Sequence, residues 1–275
     1  IGIGGSGMCP IAEILYHRGY HITGSDISES ETVQKIRSYQ IPVIIGQKAE
    51  NIKGADLIVY TAAVKKDNPE LVAALESGIP TLERSEMLGV VTAHYQDSIA
   101  VSGTHGKTTT TGMLTQLFIQ AGKDPSAIIG GKLPFIGSNG RAGKSDIMIC
   151  EACEYVDTFL KLSPAISIIL NIDADHLEYF GSLENIIKSF HQFSNQTGKV
   201  LIVNGDDENV KISITYEGVT YSRANTTLGN LALGGRTSVS LQGNEVEMTF
   251  EVVGIKKYGD ASLSGYYKGA VTVIE

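Results

Sequence analysis

Lys107 lies between Gly106 and a run of four threonines, residues 108–111, and follows the apolar stretch "SIAV" at 98–101. A strand, a glycine turn and a helix in that order aim several backbone N–H groups into one concavity, with the positive end of the helix behind them. From such a turn Lys107 can reach the β- and γ-phosphates of a nucleotide, and Thr108 can put its hydroxyl on Mg²⁺. The generic P-loop pattern asks for glycine at 101, where this chain has Val101; its first loop glycine is Gly103. The bland alternative is a Gly/Thr turn that binds nothing. The candidate nucleotide-binding set is Gly103, Thr104, His105, Gly106, Lys107, Thr108 and Thr109. His105 has two readings, a phosphate or metal contact and a residue that shapes the turn.

Two downstream segments add acid and imidazole chemistry. "MICEACEYVDTF", 148–159, ends an apolar run with Glu151, and "NIDADHLEYFG", 171–181, ends another with Asp173, Asp175 and His176. A carboxylate and an imidazole beside a triphosphate suit metal ligation. Thr108, Glu151 and His176 are therefore the candidate metal donors, and Lys107, Glu151 and His176 the candidate catalytic set. The alternative, polar strand ends facing water, is held equally for Asp173 and Glu154.

A second glycine pattern opens the chain. Gly2, Gly4 and Gly7 match G-x-G-x-x-G, and Asp26 follows about twenty residues later, as in dinucleotide binders. Taken alone this favours NAD; Gly5 and the small Ser6 equally suit close approach to the diphosphate of a sugar nucleotide. Gly4, Gly5, Ser6, Gly7, Met8, Asp26 and Thr61 form the candidate substrate-binding set, Thr61 lying in "YTAAV" at 60–64.

These residues need a scaffold that brings strand ends together. Residues 1 to about 92 alternate short strand-like runs with helical patterns at 8–18, 31–39 and 69–77. A second unit from about 93 carries a strand into the lysine loop, a helix at 108–121, apolar strands at 147–150 and 165–172, a helix at 183–193 and a strand at 199–204. Alternation of this kind predicts an α/β protein, a Rossmann-like domain over 1–92 followed by a P-loop ATPase-type domain over 93–275. Its strands are parallel, and their C-terminal ends share the face where ligands bind. Beyond Gly205 the chain turns β-rich. Val239, Leu241, Val246, Met248, Phe250 and Val252 alternate around Gly243-Asn244, which predicts a hairpin. Residues 137–145, "GSNGRAGKS", read as a mobile surface loop.

Composition is that of a globular chain: 42% hydrophobic, 19% charged, net charge −8. The acidic balance argues against a nucleic-acid partner. No apolar run approaches the roughly 20 residues needed to cross a bilayer, so no membrane partner is expected. Three cysteines without a disulfide framework, and no leader-like opening, predict the cytosol. Cys150 and Cys153 form a single C-x-x-C with Glu151 between them, and Cys9 has no evident partner. None is assigned a metal or redox role. Ile1 begins inside a strand-like run, so a partial chain is expected.

The segments "GTHGKTTTT", "EACEYVDTF" and "NIDADHLEYF" together resemble the Mur ligases, the ATP-dependent amide-forming enzymes of peptidoglycan synthesis. "GIGGSGMCPIAEILYHRGYHITGSD", "KKDNPE" and "ERSEML" resemble the branch that joins L-alanine to UDP-N-acetylmuramate. The resemblance covers residues 1 to about 210. It implies ATP and Mg²⁺ as cofactors, with UDP-N-acetylmuramate held by the first domain and L-alanine as second substrate. Lys107 would grip the phosphates, Thr108 and Glu151 a first metal ion, and Glu151 and His176 a second. The implied reaction runs through an acyl phosphate formed from the muramyl carboxylate. The family's adenine-contacting His-Asn pair and its Asp-Tyr-Ala-His-His run do not occur here, so the third domain is expected to be missing. Lys188 is the nearest match to a modified lysine found in some relatives, which the alanine-adding branch does without. Three rival readings stay open: a peptide-recycling ligase of the same family, an NAD-dependent oxidoreductase and a non-catalytic nucleotide-binding module.

Overall fold

The computed structural model describes residues 1–204, 207, 209 and 210, together with the backbone of four strands between 212 and 248. In the first unit the elements are α1 (Met8–His17), β1 (Gly24–Asp26), α2 (Glu31–Ser38), β2 (Val43–Ile45), β3 (Ile58–Tyr60), α3 (Pro69–Glu76), β4 (Thr81–Glu83) and α4 (Arg84–Ala93). β1 pairs with β2 and β3 with β4, both in parallel. Residues 1–3 bridge the two pairs. Ile1 N donates to Val59 O and receives Thr61 N on its carbonyl, while Gly2 N and Ile3 N donate to Ser25 O. The outcome is two parallel strand pairs joined through the start of the chain, with the glycine turn between them, in line with the βα alternation. Local chemistry sets the helix starts. Ser30 Oγ accepts from Val33 N at α2. Asn68 caps α3 ahead of Pro69, and Glu83 with Glu86 forms a reciprocal capping box at α4.

The second unit contains β5 (Asp97–Ser102), α5 (Lys107–Gln120), β6 (Ser126–Leu133), β7 (Ser138–Arg141), β8 (Ile147–Glu151), β9 (Ile166–Ile169), α6 (Leu177–Phe180), α7 (Leu183–Asn195) and β10 (Val200–Val203). Six strands form one sheet in the order β10-β9-β5-β8-β6-β7. Every neighbouring pair is parallel except β6 with β7. β5 and β8 are buried along their middles, which accounts for their continuous apolar runs. Beyond them, β11 (Ile212–Tyr216) pairs antiparallel with β12 (Val219–Arg223), and β13 (Thr237–Leu241) with β14 (Asn244–Met248).

Two expectations need correction. Residues 137–145 are not a free loop. Ser138–Arg141 form β7, with Gly140 opposite Ile128 and Arg141 opposite Ala127. The polar, glycine-rich composition hid a fastened edge. Arg141 pairs with Asp124, which also takes Lys144 N on its carboxylate and the Ser145 hydroxyl on its carbonyl. In the late hairpin Leu241 stands opposite Asn244, so Asn244 belongs to the second strand. Phe250, Val252 and the tail from 255 lie outside the described residues.

The cores do not respect the two sheets. Ile11 and Ile14 of α1, with Met87, Leu88 and Val91 of α4, share one apolar cluster with Ala100, Met148, Phe159, Phe190 and Phe193. Phe159 stacks on Phe193 at 4.7 Å, with Phe190 edge-on at 5.2 Å. Backbone passes close where helices of the first unit meet the second. A Cβ at Gly89 would lie 2.2 Å from Lys161 O, and one at Gly140 would lie 2.4 Å from Pro10 Cβ. Lys35 Nζ joins Glu13 at 2.8 Å and Ser138 Oγ at 2.7 Å, tying α2, α1 and β7 together.

Candidate active site

The lysine loop leaves β5 at its C-terminal end and enters α5 through two glycines in left-handed or related conformations, Gly103 (φ 135) and Gly106 (φ 86). Glycine is required at 103 on two counts. Its φ is hostile to side chains, and an added Cβ would press Leu170 Cβ at 3.0 Å and Asn171 N at 3.1 Å. The end of β9 clamps the loop. Asn171 Oδ1 accepts from His105 N at 2.7 Å, and Asn171 Nδ2 donates to His105 O at 3.0 Å. Thr104 N donates to Asn171 O, and Thr104 Oγ1 accepts from Asp173 N at 2.8 Å. Thr104 thus serves the clamp, while the His105 ring stands exposed, 3.9 Å from Asp173 Oδ2.

Lys107 is folded onto its own loop. Its Nζ donates to Gly103 O at 2.6 Å, Thr104 O at 3.1 Å and Glu154 Oε1 at 3.0 Å. Glu154 is only 2% exposed, and its Oε2 lies 2.9 Å from the same ammonium without making a hydrogen bond. The water-facing reading of Glu154 is therefore wrong. Its position in the turn after β8 points it inward, and a buried carboxylate needs a cation.

Glu151 ends β8, next to β5 on one side and β6 on the other. Its carboxylate accepts from Gly130 N. A Cβ at Gly130 would stand 2.6 Å from Glu151 Oε2, and one at Gly131 3.2 Å from Thr108 Cγ2. The Gly130-Gly131 pair on β6 thus leaves room for the Glu151 carboxylate beside one residue and the Thr108 methyl beside the next. Thr109 lines a groove of about 280 Å³ between α5 and β6, with Thr108, Met113 and Leu133. Among the described residues no group of three or more His, Cys, Asp or Glu side chains converges as a metal cage. One carboxylate and one hydroxyl are the donor set that Mg²⁺ accepts when phosphate oxygens and water complete its shell.

His176 starts α6 in the left-handed region (φ 51). It lies beyond β9, whose C-terminal end shares an edge with those of β5 and β8. Among the described residues no contact joins it to Glu151 or Thr108. Its ring packs on Tyr155 at 4.5 Å, and Tyr155 follows Glu154 in the chain. His176 Nδ1 is 3.5 Å from Glu178 Oε1.

At the first glycine turn, Gly4 N donates to Asp26 Oδ2 at 2.8 Å and Ile27 N to Asp26 Oδ1 at 2.8 Å, so Asp26 fastens the turn to β1. Gly2 (φ 74) leaves room for Thr61, whose Cγ2 would stand 2.6 Å from an added Cβ. Met8 is buried, and no side chain caps α1. Ser6 O accepts from Asn139 Nδ2 of β7 at 2.7 Å. Arg84 lies over Gly7, its Cδ 2.9 Å and NH1 3.3 Å from where a Cβ would stand. Among the described residues Arg84 has no ion-pair partner. Its charge, like that of Lys107, bears on Cys153.

Sequence reasoning did not single out Arg84, Asn139 or Asn171, and it held the water-facing alternative for Glu154 equal to a role in the site. Only Glu154 carried a usable signal, an acid three residues beyond Glu151. Cys9 and Cys150 are buried and Cys153 exposed, all three unpaired, and burial followed by the Glu151 charge pushes the Cys150 thiol up to about 12. A thiol that stays protonated is a poor metal ligand.

Comparison with known proteins fits this geometry. Residues 1–96 match the Mur ligase family, catalytic domain, and residues 101–264 the Mur ligase middle domain. A UDP-N-acetylmuramate–L-alanine ligase of Alkaliphilus metalliredigens is 50% identical over 213 residues, 77% of this chain and 46% of that protein. The corresponding ligase of Clostridium tetani is 48% identical over 212 residues, 76% of this chain and 46% of that protein. The crystal structure of UDP-N-acetylmuramate–alanine ligase from Thermotoga maritima superposes with a TM-score of 0.68 at 32% identity, covering 76% of this chain and 49% of that one. A UDP-N-acetylmuramate:L-alanyl-γ-D-glutamyl-meso-diaminopimelate ligase from Neisseria meningitides gives 0.68 at 27% identity, covering 76% and 71%. The chain spans about half the length of the curated relatives it matches. Two consecutive family matches on a fold with its lysine loop at a parallel strand edge establish that the chain belongs to the Mur ligase family.

Proposed function

We propose that this chain provides the sugar-nucleotide and ATP-binding parts of a ligase that joins L-alanine to the lactyl carboxylate of UDP-N-acetylmuramate, with residues 1–92 holding the sugar nucleotide and 93–275 the ATP. What supports the reading is the lysine loop at the end of β5, beside the end of β8 that carries Glu151, in a chain 50% identical over 213 residues to a ligase of that name. The uncapped start of α1, with Arg84 over Gly7, supports a diphosphate there.

In this reading the muramyl carboxylate attacks the γ-phosphate of ATP, ADP leaves, and the amine of alanine displaces phosphate from the acyl phosphate. The first step drives one anion towards another. At ~4 Å the repulsion is roughly 4 kcal/mol at an effective dielectric near 20. Lys107 opposes it with a positive charge at the phosphates, and the backbone N–H groups of the clamped loop add fixed dipoles without reorganising. Thr108 and Glu151 would hold a magnesium ion, His176 would serve a second, and bound magnesium supplies neutralising charge on the phosphate oxygens. No enzyme nucleophile is needed, because the attacking carboxylate is already ionised.

The equal TM-score to the peptide-adding ligase favours a second reading, in which a tripeptide replaces alanine on the same sugar nucleotide. ADP release by the full-length enzyme with ATP, Mg²⁺ and UDP-N-acetylmuramate separates the two. We expect turnover with L-alanine and none with tripeptide; the reverse selects the second reading, and dependence on neither rejects both.

A further inference from the structure

All three N–H bonds of the Lys107 ammonium are engaged: two by carbonyls of its own loop, one by Glu154. The carbonyls belong to the loop and move with it. Glu154 comes from another element, the turn after β8, and is almost wholly buried, with side-chain exposure of 3% against 15% for Lys107. A phosphate oxygen that takes a hydrogen bond from Lys107 must therefore displace one of these partners. The charged partner is the one that competes directly with an anion.

We propose that Glu154 is a resting-state counter-ion to the loop lysine, displaced by the phosphates of the incoming nucleotide, and so a positioning residue that sets nucleotide affinity. The inference rests on the nucleotide reading of the loop. Binding exchanges a carboxylate for a phosphate at the same ammonium, and it leaves a buried carboxylate short of its cation. Both effects oppose the nucleotide, so the resting pair keeps affinity below what the loop alone would give. Removing the negative charge while keeping the shape should tighten binding, an effect opposite to that of a structural defect.

The test is calorimetric titration of Mg-ADP into the chain and its Glu154→Gln variant. The variant should bind about fivefold more tightly, since its neutral amide oxygen holds Lys107 less strongly than a carboxylate does. Glu154→Asp, which keeps the charge, should stay near the parent affinity. Equal or weaker binding by Glu154→Gln overturns the proposal. Should that variant fail to fold, a crystal structure of the unaltered chain with Mg-ADP decides. Lys107 Nζ parted from both Glu154 oxygens supports the exchange, and an intact pair refutes it. An unaltered chain that binds no ADP would sink the nucleotide reading and this inference with it; equal binding by parent and variant sinks the inference alone.

Discussion

At α1 the turn of residues 2–7 has no charged side chain of its own. Its cation, Arg84, comes from the start of α4 and lies over Gly7 with no ion-pair partner among the described residues. At α5 the turn of residues 103–106 is followed at once by its cation, Lys107, which is already matched to Glu154. Both turns precede a helix start with no side-chain cap, so both offer backbone dipoles to an anion. The difference is what the anion meets: a waiting charge at the first turn, a charge in use at the second. In the proposed reading, binding at the first would add a partner and binding at the second would exchange one. Two glycine turns of similar sequence texture can therefore differ in how tightly they are poised.

The largest test of this contrast is Lys107→Ala. Nucleotide affinity should fall on the order of 100-fold, with sugar-nucleotide affinity unchanged. The same change strands Glu154 and should cost about 3 kcal/mol of stability. Adding Glu154→Gln should restore most of that loss, read by denaturant unfolding. A joint loss of both ligands would break the contrast. Next is Gly89→Ala, which forces α4 off the Lys161 carbonyl. A destabilisation of about 2 kcal/mol is expected, seen as a lower melting temperature, with sugar-nucleotide binding weakened more than nucleotide binding because α4 carries Arg84. Arg84→Ala itself should weaken the sugar nucleotide about tenfold by titration and leave ADP untouched. Smallest is Lys35→Ala, expected to cost about 1 kcal/mol by exposing Glu13 to an unpaired, nearly buried state. Burial alone would lower the Lys35 pKa, but its hydrogen bond and attraction to Glu13 outweigh that and raise it. The Lys35 contribution is therefore complete below the ordinary lysine pKa of about 10.4 and fades as pH rises through the higher folded value. Stability profiles of parent and variant should converge there.

Much of this was legible because the strands of the second unit are buried along their middles. Residues 98–101 and 147–150 read as apolar runs, and Glu151, the polar residue that ends the second, marked the strand edge where a ligand was expected. Glycine spacing likewise announced both turns. What stayed hidden were contacts made across the fold. Asn171 clamps His105 from 66 residues away, Arg84 reaches Gly7 from another helix, and Asn139 holds Ser6 from an edge strand that looked like loop. No local pattern encodes such partners. Glu154 was left undecided for the same reason. Whether an acid at a strand end faces water or a lysine depends on the path of residues 155–161, which turn tightly through Val156 and Asp157 at φ 54 and 55.

Because α1 and α4 sink into the apolar cluster of the larger sheet, the span between the two glycine turns is fixed by interior packing rather than by a linker. In the proposed reading the two turns are the jaws of a calliper, and a substrate anchored by its diphosphate at one would offer to the other only the group that lies at the matching reach along its own length. Selection by molecular length would follow, and a carboxylate one sugar nearer or farther would find no phosphoryl group waiting for it.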